Sequence, residues 1–449
     1  MFGMLKRLWR DRRGNALVIA GAALPLVVGS AGLATDTVEW AMWKRQLQRA
    51  ADSGALAGAF GKLAGQTVAT GTCSSNAPVS RDLTVGTVNS RLGVTPTCNV
   101  KTGADITNAS WQAASSEAVQ VTISTQRRLP FSSLFLSTTP TITATAIAAV
   151  VQGGKYCVVS LDNNVETGLS FAGNASVNLG CGLKTNAKGA SAIDGTGSSA
   201  VTASPVAAVG QIANSGSFAS GTTFQPYSSP ETDPYASVPV PSTFPSGNCP
   251  TFSVGSGQSK SSLTANVDYK LTPDGYYCMG SMNLSGNVTL PSGIYVLDGG
   301  SGGGADGSLT IGSQANVTCN GCTFIFTSRT AATNPSSIGG IKNINGGARI
   351  NFTSTSGGTY NGLLMYQDRR AVLPNGNQSN QINGNSSSTF SGAFYFPSQR
   401  VTFNGTSGMT TDCVQMVGWQ VTFSGNTNIS NNCPNGPGGF DGQMVRLVA

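Results

Sequence analysis

Histidine is absent from the 449 residues, and that omission removes many kinds of chemistry. Ser-His-Asp and Cys-His catalysis, HExxH zinc sites and His-based pH switching all need an imidazole. Charge is scarce too, at 10% of residues, and aromatic side chains supply 7%. Long solvent-facing helices need far more Glu, Lys and Arg than this. A hydrophobic share of 39% nevertheless exceeds what a disordered chain carries. The basic excess is local: residues 1–150 hold 14 Lys/Arg and 7 Asp/Glu, whereas residues 151–449 hold 12 of each. A neutral body rich in Gly, Ser, Thr and Asn offers no dense basic face, so no nucleic-acid partner is expected. No P-loop is present, which excludes a nucleotide-driven motor.

The longest uncharged stretch is Gly14 to Thr35, 22 residues made mostly of Ala, Leu, Val, Ile and Gly. About 20 such residues cross a hydrocarbon core of roughly 30 Å. Lys6, Arg7, Arg10, Arg12 and Arg13 precede the stretch, and Asp36 and Glu39 follow it. The positive-inside rule then makes residues 1–13 a cytoplasmic stub and puts residues 36–449 outside, with Arg12 and Arg13 fixing the orientation. Trp40 and Trp43 stand where aromatic side chains favour the membrane interface. Gly29–Ala34 offers small-residue cleavage positions, but the apolar run exceeds the ~7–15 residues of a signal-peptide core. A retained span over 14–35, with Pro25 predicting a kink, is expected.

A helix should continue over 36–60. Trp40, Trp43, Leu47, Ala50, Ala51, Gly54, Ala57 and Gly58 recur at three- and four-residue steps and form one stripe. The stripe passes from large side chains to small ones, so a neighbour can approach the backbone closely. That neighbour is either a partner helix, including one from a second copy, or the chain's own following domain. Arg45, Gln46, Gln48, Arg49 and Asp52 take the other faces.

Arg13-Gly14-Asn15-Ala16, the apolar run with Pro25, and Gln48-Arg49-Ala50-Ala51-Asp52 through Ala55-Leu56-Ala57-Gly58-Ala59 together resemble the N-terminal region of TadE/TadG-like proteins of tight-adherence (Flp-type) pilus assembly. The resemblance covers about the first 60 residues. It implies a single-pass protein of a bacterial inner membrane with a periplasmic C-terminal domain, working beside other pilus-assembly proteins. Some relatives are processed like prepilins, with a Glu five residues after the Gly. Counted from Gly14 that position is Ile19, so cleavage there is not expected.

Residues 61–150 read as a small α+β module. Ala118–Ser124 alternates apolar and polar residues, as a half-buried strand does. Thr139–Val150 reads as a second strand, and Leu129–Leu136 as a short apolar turn or helix between them. The strand, the "PF…LF" segment and the "TxTATA" strand also follow the helix in TadG-like proteins, which adds to the resemblance. The von Willebrand A-type metal motif of some relatives is not carried over, because Asn163-Asn164-Val165-Glu166 follows Asp162.

From Tyr156 a phrase of short β-branched or aromatic strands around a Gly/Asn turn returns. Its glycines fall at 173, 195, 286, 312, 346, 384, 405 and 425. Neighbouring copies recurring at roughly 20–26 residues point to a solenoid, here a parallel β-helix over 151–449; a Gly-rich β-sandwich is the competing fold. The Ser/Pro/Gly-rich interval 196–260 breaks the recurrence and reads as a long loop or irregular crossing.

Ten cysteines in a chain placed outside the cytoplasm read as disulfides. Neighbour pairing gives Cys73–Cys98, Cys157–Cys181, Cys249–Cys278, Cys319–Cys322 and Cys413–Cys433. The lone CxxC at Cys319 lacks the His that would support zinc and the helix that would support redox work. Gly299–Gly303 matches GxSxG only formally, without a base. No catalytic residue, metal or cofactor is expected. The reading is a structural or assembly component of a Tad-type pilus. Two alternatives stay open: a surface adhesin for glycan or matrix, and a β-helical polysaccharide-active enzyme. The enzyme would have to gather distant acids such as Asp274, Asp298 and Asp306, since glycosidases pair carboxylates at about 5–9.5 Å.

Overall fold

A computed structural model describes residues 12–82, 96–106, 117–372, 380–384, 388–405, 409–426, 428–431 and 439–448. The chain forms two compact units, Met1–Val151 with Gln443–Ala449, and Gln152–Gly442. The sequence pattern alone assigns 151–449 to one domain. The last residues group with the first unit because Val445 packs on its core and the Val448 N–H donates to the Ile147 carbonyl.

The first unit opens with one helix, α1, Arg12–Leu63, uninterrupted at Pro25. At 1.5 Å per residue its 52 residues extend about 78 Å. Four strands follow: β1 Gly71–Thr72, β2 Thr97–Thr102, β3 Ala118–Gln126 and β4 Thr141–Ser160. They pair antiparallel in that order, with β4 contributing residues 141–149. The short helix α2, Ala77–Asp82, lies between β1 and β2. Alternation in β3 buries Val119, Val121 and Ile123, and β4 answers with Ile142, Ala144, Ala146 and Ala148. The second half of α1 covers that face through Trp43, Leu47, Ala50, Ala51, Ala55 and Ala59.

The second unit is built almost wholly of parallel pairs between strands one recurrence apart. Three ladders result. The first contains Thr251–Val254, Ser281–Leu284, Leu309–Ile311, Ile341–Ile344 and Asn380–Gly384, then residues 401–405 and 421–423. It does not stop there. Residues 421–423 pair with Leu169–Phe171, which pairs with Ile193–Gly195 and then Ile212–Ala213. The second and third ladders repeat this order, with 428–430 on Ser176–Asn178 and 416–418 on 158–160. The chain therefore joins the array in its middle, builds to one end by Gln225, crosses to the other end at Thr251, and builds back.

Packing explains the array. Twelve aromatic rings form a continuous row, buried except at its two ends: Tyr269, Tyr277, Tyr295, Phe324, Phe352, Phe390, Phe394, Phe403, Phe423, Phe171, Phe218 and Phe224, each 4.7–6.0 Å from the next. Phe423 and Phe171 stack at 5.1 Å across the seam where the early and late strands of the second unit meet. Such ring pairs add roughly 0.5–1.5 kcal/mol each beyond area burial. Glycines set the turn after the first ladder. Gly425, Gly173 and Gly197 all take φ near +70° and lie over one another, leaving no space for a Cβ. Phe171 pairs with Gly195, so the turn glycine of that recurrence is Gly197 rather than Gly195.

The third ladder is buried on both faces, as in Cys322–Thr327 and Leu363–Gln367. Its outer face carries Tyr156, Tyr360, Tyr366 and Tyr395, which form a second core with Tyr235, Val238 and Val240. Those last residues belong to the crossing, 226–250; the rest of the interval 196–260, expected to break the recurrence, instead carries ladder strands at Ala200–Thr202, Val206–Ala208, Ile212–Ala213, Phe224–Gln225 and Thr251–Val254. Ten strands at about 4.8 Å are roughly 43 Å across, well within the reach of 25 residues.

Candidate functional site

The stripe on α1 is the surface that the sequence singles out, and the structure covers it with the chain's own sheet. Leu47, Ala50 and Ala51 are buried in the first core, Gly54 and Gly58 are buried, and Ala57 is half-buried. A Cβ on Gly58 would stand 2.7 Å from the Val119 side chain, and one on Gly61 2.6 Å from Pro78. Small residues thus admit a sheet and α2 as closely as they would admit a helix. Trp43 is buried beneath the Arg127 guanidinium, 4.8 Å from its ring centre, while Trp40 stays 44% exposed. Arg12 and Arg13 open the helix.

Before that docked half, α1 stands bare. Ile19, Leu24, Leu26, Val27, Val28 and Leu33 are all more than half exposed. Among the described residues this is the one helix long and apolar enough to cross a membrane.

Asp36 closes the apolar run, and in the sequence it reads only as a charge. The structure gives it a second task. Its carboxylate, buried, accepts the Phe131 N–H at 3.0 Å, the Ser132 N–H and the Ser132 hydroxyl. Burial raises its pKa, and those hydrogen bonds lower it by more, so the group is held below its ordinary value. One turn earlier, the Phe131 ring fills the space a Cβ on Gly32 would need. The connection between β3 and β4 is fastened to α1 at this level. A helix residue whose carboxylate follows directly on an apolar run, facing a distant Pro-Phe-Ser, carries no local signal of that role.

In the second unit the crossing is fixed residue by residue. Glu231 pairs with the buried Lys184 at 3.1 Å and exchanges hydrogen bonds with Asn186 through its backbone. The Tyr395 hydroxyl donates to Asp233, and Tyr366 and Tyr360 donate to the carbonyls of Val238 and Pro239. Arg369 donates to the carbonyls of Val238 and Tyr235 while lying over the Tyr366 and Tyr395 rings. Arg329 holds the far end at Gly247. Burial pushes the Tyr366 hydroxyl up to about 12 against the opposing pull of Arg369, so these phenols remain donors throughout the physiological range.

Four cysteine pairs are disulfide-bonded: Cys73–Cys98, Cys157–Cys181, Cys249–Cys278 and Cys319–Cys322. The Cys433 half of the fifth expected pair, and the Cys413 side chain, lie outside the described residues. Cys249 and Cys278 come close to Asp298, but their sulfurs are joined and so are not thiolate ligands. The acids considered for catalysis each have their own partner. Asp298, buried, pairs with Arg329; Asp306 pairs with Lys342 at 3.6 Å; Asp274 accepts from Thr243 at 2.5 Å. A polar groove of about 550 Å³ between Asp306, Lys342, Asn380 and Gln399 has Asp306 as its one carboxylate among the described residues.

Residues 14–61 match the family model described as Flp pilus-assembly TadE/G-like. No curated protein and no solved structure matches the chain. The matched segment lies within α1, spans its bare and docked parts and ends two residues before that helix does.

Proposed function

We propose that this chain is a structural component of a Tad-type pilus-assembly system, held in the bacterial inner membrane by α1, with its second unit on the periplasmic side. The observation that carries the reading is the match over 14–61, which falls on the one helix able to cross a bilayer among the described residues. Five basic residues precede the apolar run against one Asp, which favours a cytoplasmic N-terminus. Disulfides suit an oxidising compartment.

The second unit is read as a parallel β-helix, on the strength of three parallel ladders whose strands pair one recurrence on. Its task in this reading is mechanical: a stiff, neutral body presenting protein-binding surface to other assembly components. Each recurrence leaves its strand edges open until the next covers them, so the array holds together only as a whole.

Deleting residues 14–35 tests both halves of the proposal. The truncated chain should leave the membrane pellet for the soluble fraction, and cells carrying it should lose pili. Continued sedimentation with membranes would end the anchor reading. Normal pilus numbers with lost surface attachment would point to an adhesin instead.

A further inference from the structure

The connection between β3 and β4 ends in an apolar tip that stands exposed among the described residues. Leu134, Phe135 and Leu136 are 74%, 75% and 53% exposed. Soluble surfaces seldom gather three adjacent large apolar side chains in the open. The tip is also held in place. A short helical turn spans Ser132–Leu134, the Phe131 and Phe135 rings lie 5.3 Å apart, and Phe131 and Ser132 are fastened to Gly32 and Asp36 of α1.

Length places this fastening along the helix. The 22 uncharged residues from Gly14 to Thr35 cover about 33 Å at 1.5 Å per residue, close to the roughly 30 Å hydrocarbon core. Gly32 and Asp36 therefore mark the point where a spanning α1 leaves the hydrocarbon. The tip meets the helix there through Phe131 and Ser132, at the end of the same stretch in which Val28 and Leu33 stand exposed. Arg128 is exposed just before the turn, and half-exposed Trp40 follows one turn beyond Asp36, as membrane-interface residues do.

We infer that the 131–136 tip dips into the outer boundary of the bilayer beside α1, giving the protein a second membrane contact that sets the helix at a defined depth. The inference rests on the anchor reading above. Its occupant is lipid, and the test separates lipid from a second copy of the chain.

Full-length protein is reconstituted in phosphatidylcholine–phosphatidylglycerol vesicles, with and without brominated acyl chains, and the emission of one added tryptophan is read as the difference from the unsubstituted chain. Leu26→Trp reports the span and Phe135→Trp the tip. Phe60→Trp reports an exposed helix position 28 residues beyond Gly32. The tip and the span should both lose most of their added emission to bromine, and Trp at 60 should keep its own. A tip that behaves like position 60 while position 26 is quenched overturns the inference and leaves the anchor standing. The inference is likewise overturned if the tip is unquenched but shifts to the blue as protein is raised against lipid, since a second copy then covers it. If neither 26 nor 135 is quenched, the anchor reading falls and the tip falls with it; quenching at 60 as well removes the defined depth. Phe135 is three-quarters exposed, so the replacement should leave the thermal transition unchanged, which checks the fold directly.

Discussion

The two units solve the same problem, covering a sheet, with opposite kinds of side chain. In the first, α1 comes down on an antiparallel sheet through Ala50, Ala51, Ala55, Gly58 and Ala59 against Val119, Ala144 and Ala146. Little area is buried per residue, and closeness makes up for it. In the second, a file of Tyr and Phe rings lies among parallel strands, and pairs such as Tyr295–Phe324 and Phe403–Phe423 stack from one recurrence to the next. Small residues tolerate no addition, and large ones tolerate no loss. The contrast also separates two kinds of dependence: the first core lies mainly within residues 43–148, whereas the second requires residues near 171 and 423 to find each other.

The largest expected effect comes from cutting the ring file at its seam. Phe171→Ala should cost about 3–5 kcal/mol, read as a lowered denaturant midpoint for the second unit's amides in hydrogen exchange. If the first unit's amides lose protection equally, the two cores are not separable in the way proposed. Overfilling should hurt the first unit and spare the second. Gly58→Leu drives a side chain into Val119 and should cost about 1–3 kcal/mol, seen as loss of protection in β3. The same exchange data would show an unchanged second unit.

The smallest effect sharpens how the β3–β4 connection is held. The Asp36 carboxyl has a lowered pKa in the folded chain. Its contribution is therefore complete above the unfolded carboxylate range near pH 4 and fades as the pH falls through the lower folded value. Asp36→Asn should remove that acid-side dependence and speed exchange of the Ser132 amide at neutral pH. An unchanged pH profile at Ser132 would show that Phe131 and Gly32 alone suffice.

Much of this is written in local pattern. The uncharged run 14–35, the alternation at 118–124 and the Gly/Asn turns at 173, 286 and 425 announce helix, strand and corner by spacing alone. The disulfides found join sequence neighbours, so proximity along the chain is enough to pair them. Other features have no local trace. A stripe of Leu47, Ala50, Ala51 and Gly58 describes the closeness of a neighbour but not whether it is a helix or a sheet. The stacking of Phe423 on Phe171 joins the two ends of the unit, and no recurrence interval encodes it. The crossing at 226–250 looks like interruption because its partners, Tyr366, Arg369 and Tyr395, come more than a hundred residues later. Its one hint is indirect: runs such as Phe324-Ile325-Phe326 and Leu363-Leu364-Met365-Tyr366 lack the polar alternate face of a solvent-washed strand, so something has to lie over them.

That the polypeptide joins its ladders at the waist, with 158–160 between 182–185 and 416–418, has a consequence for how such a molecule changes over generations. Both extremities of the array are internal bends, far from the junction with the rest of the chain. Whole recurrences, one strand from each ladder, can be duplicated or discarded at either extremity while the junction keeps its neighbours, provided the crossing is lengthened or shortened to match. Size and attachment are thereby uncoupled, and one can drift while the other is conserved by its own contacts.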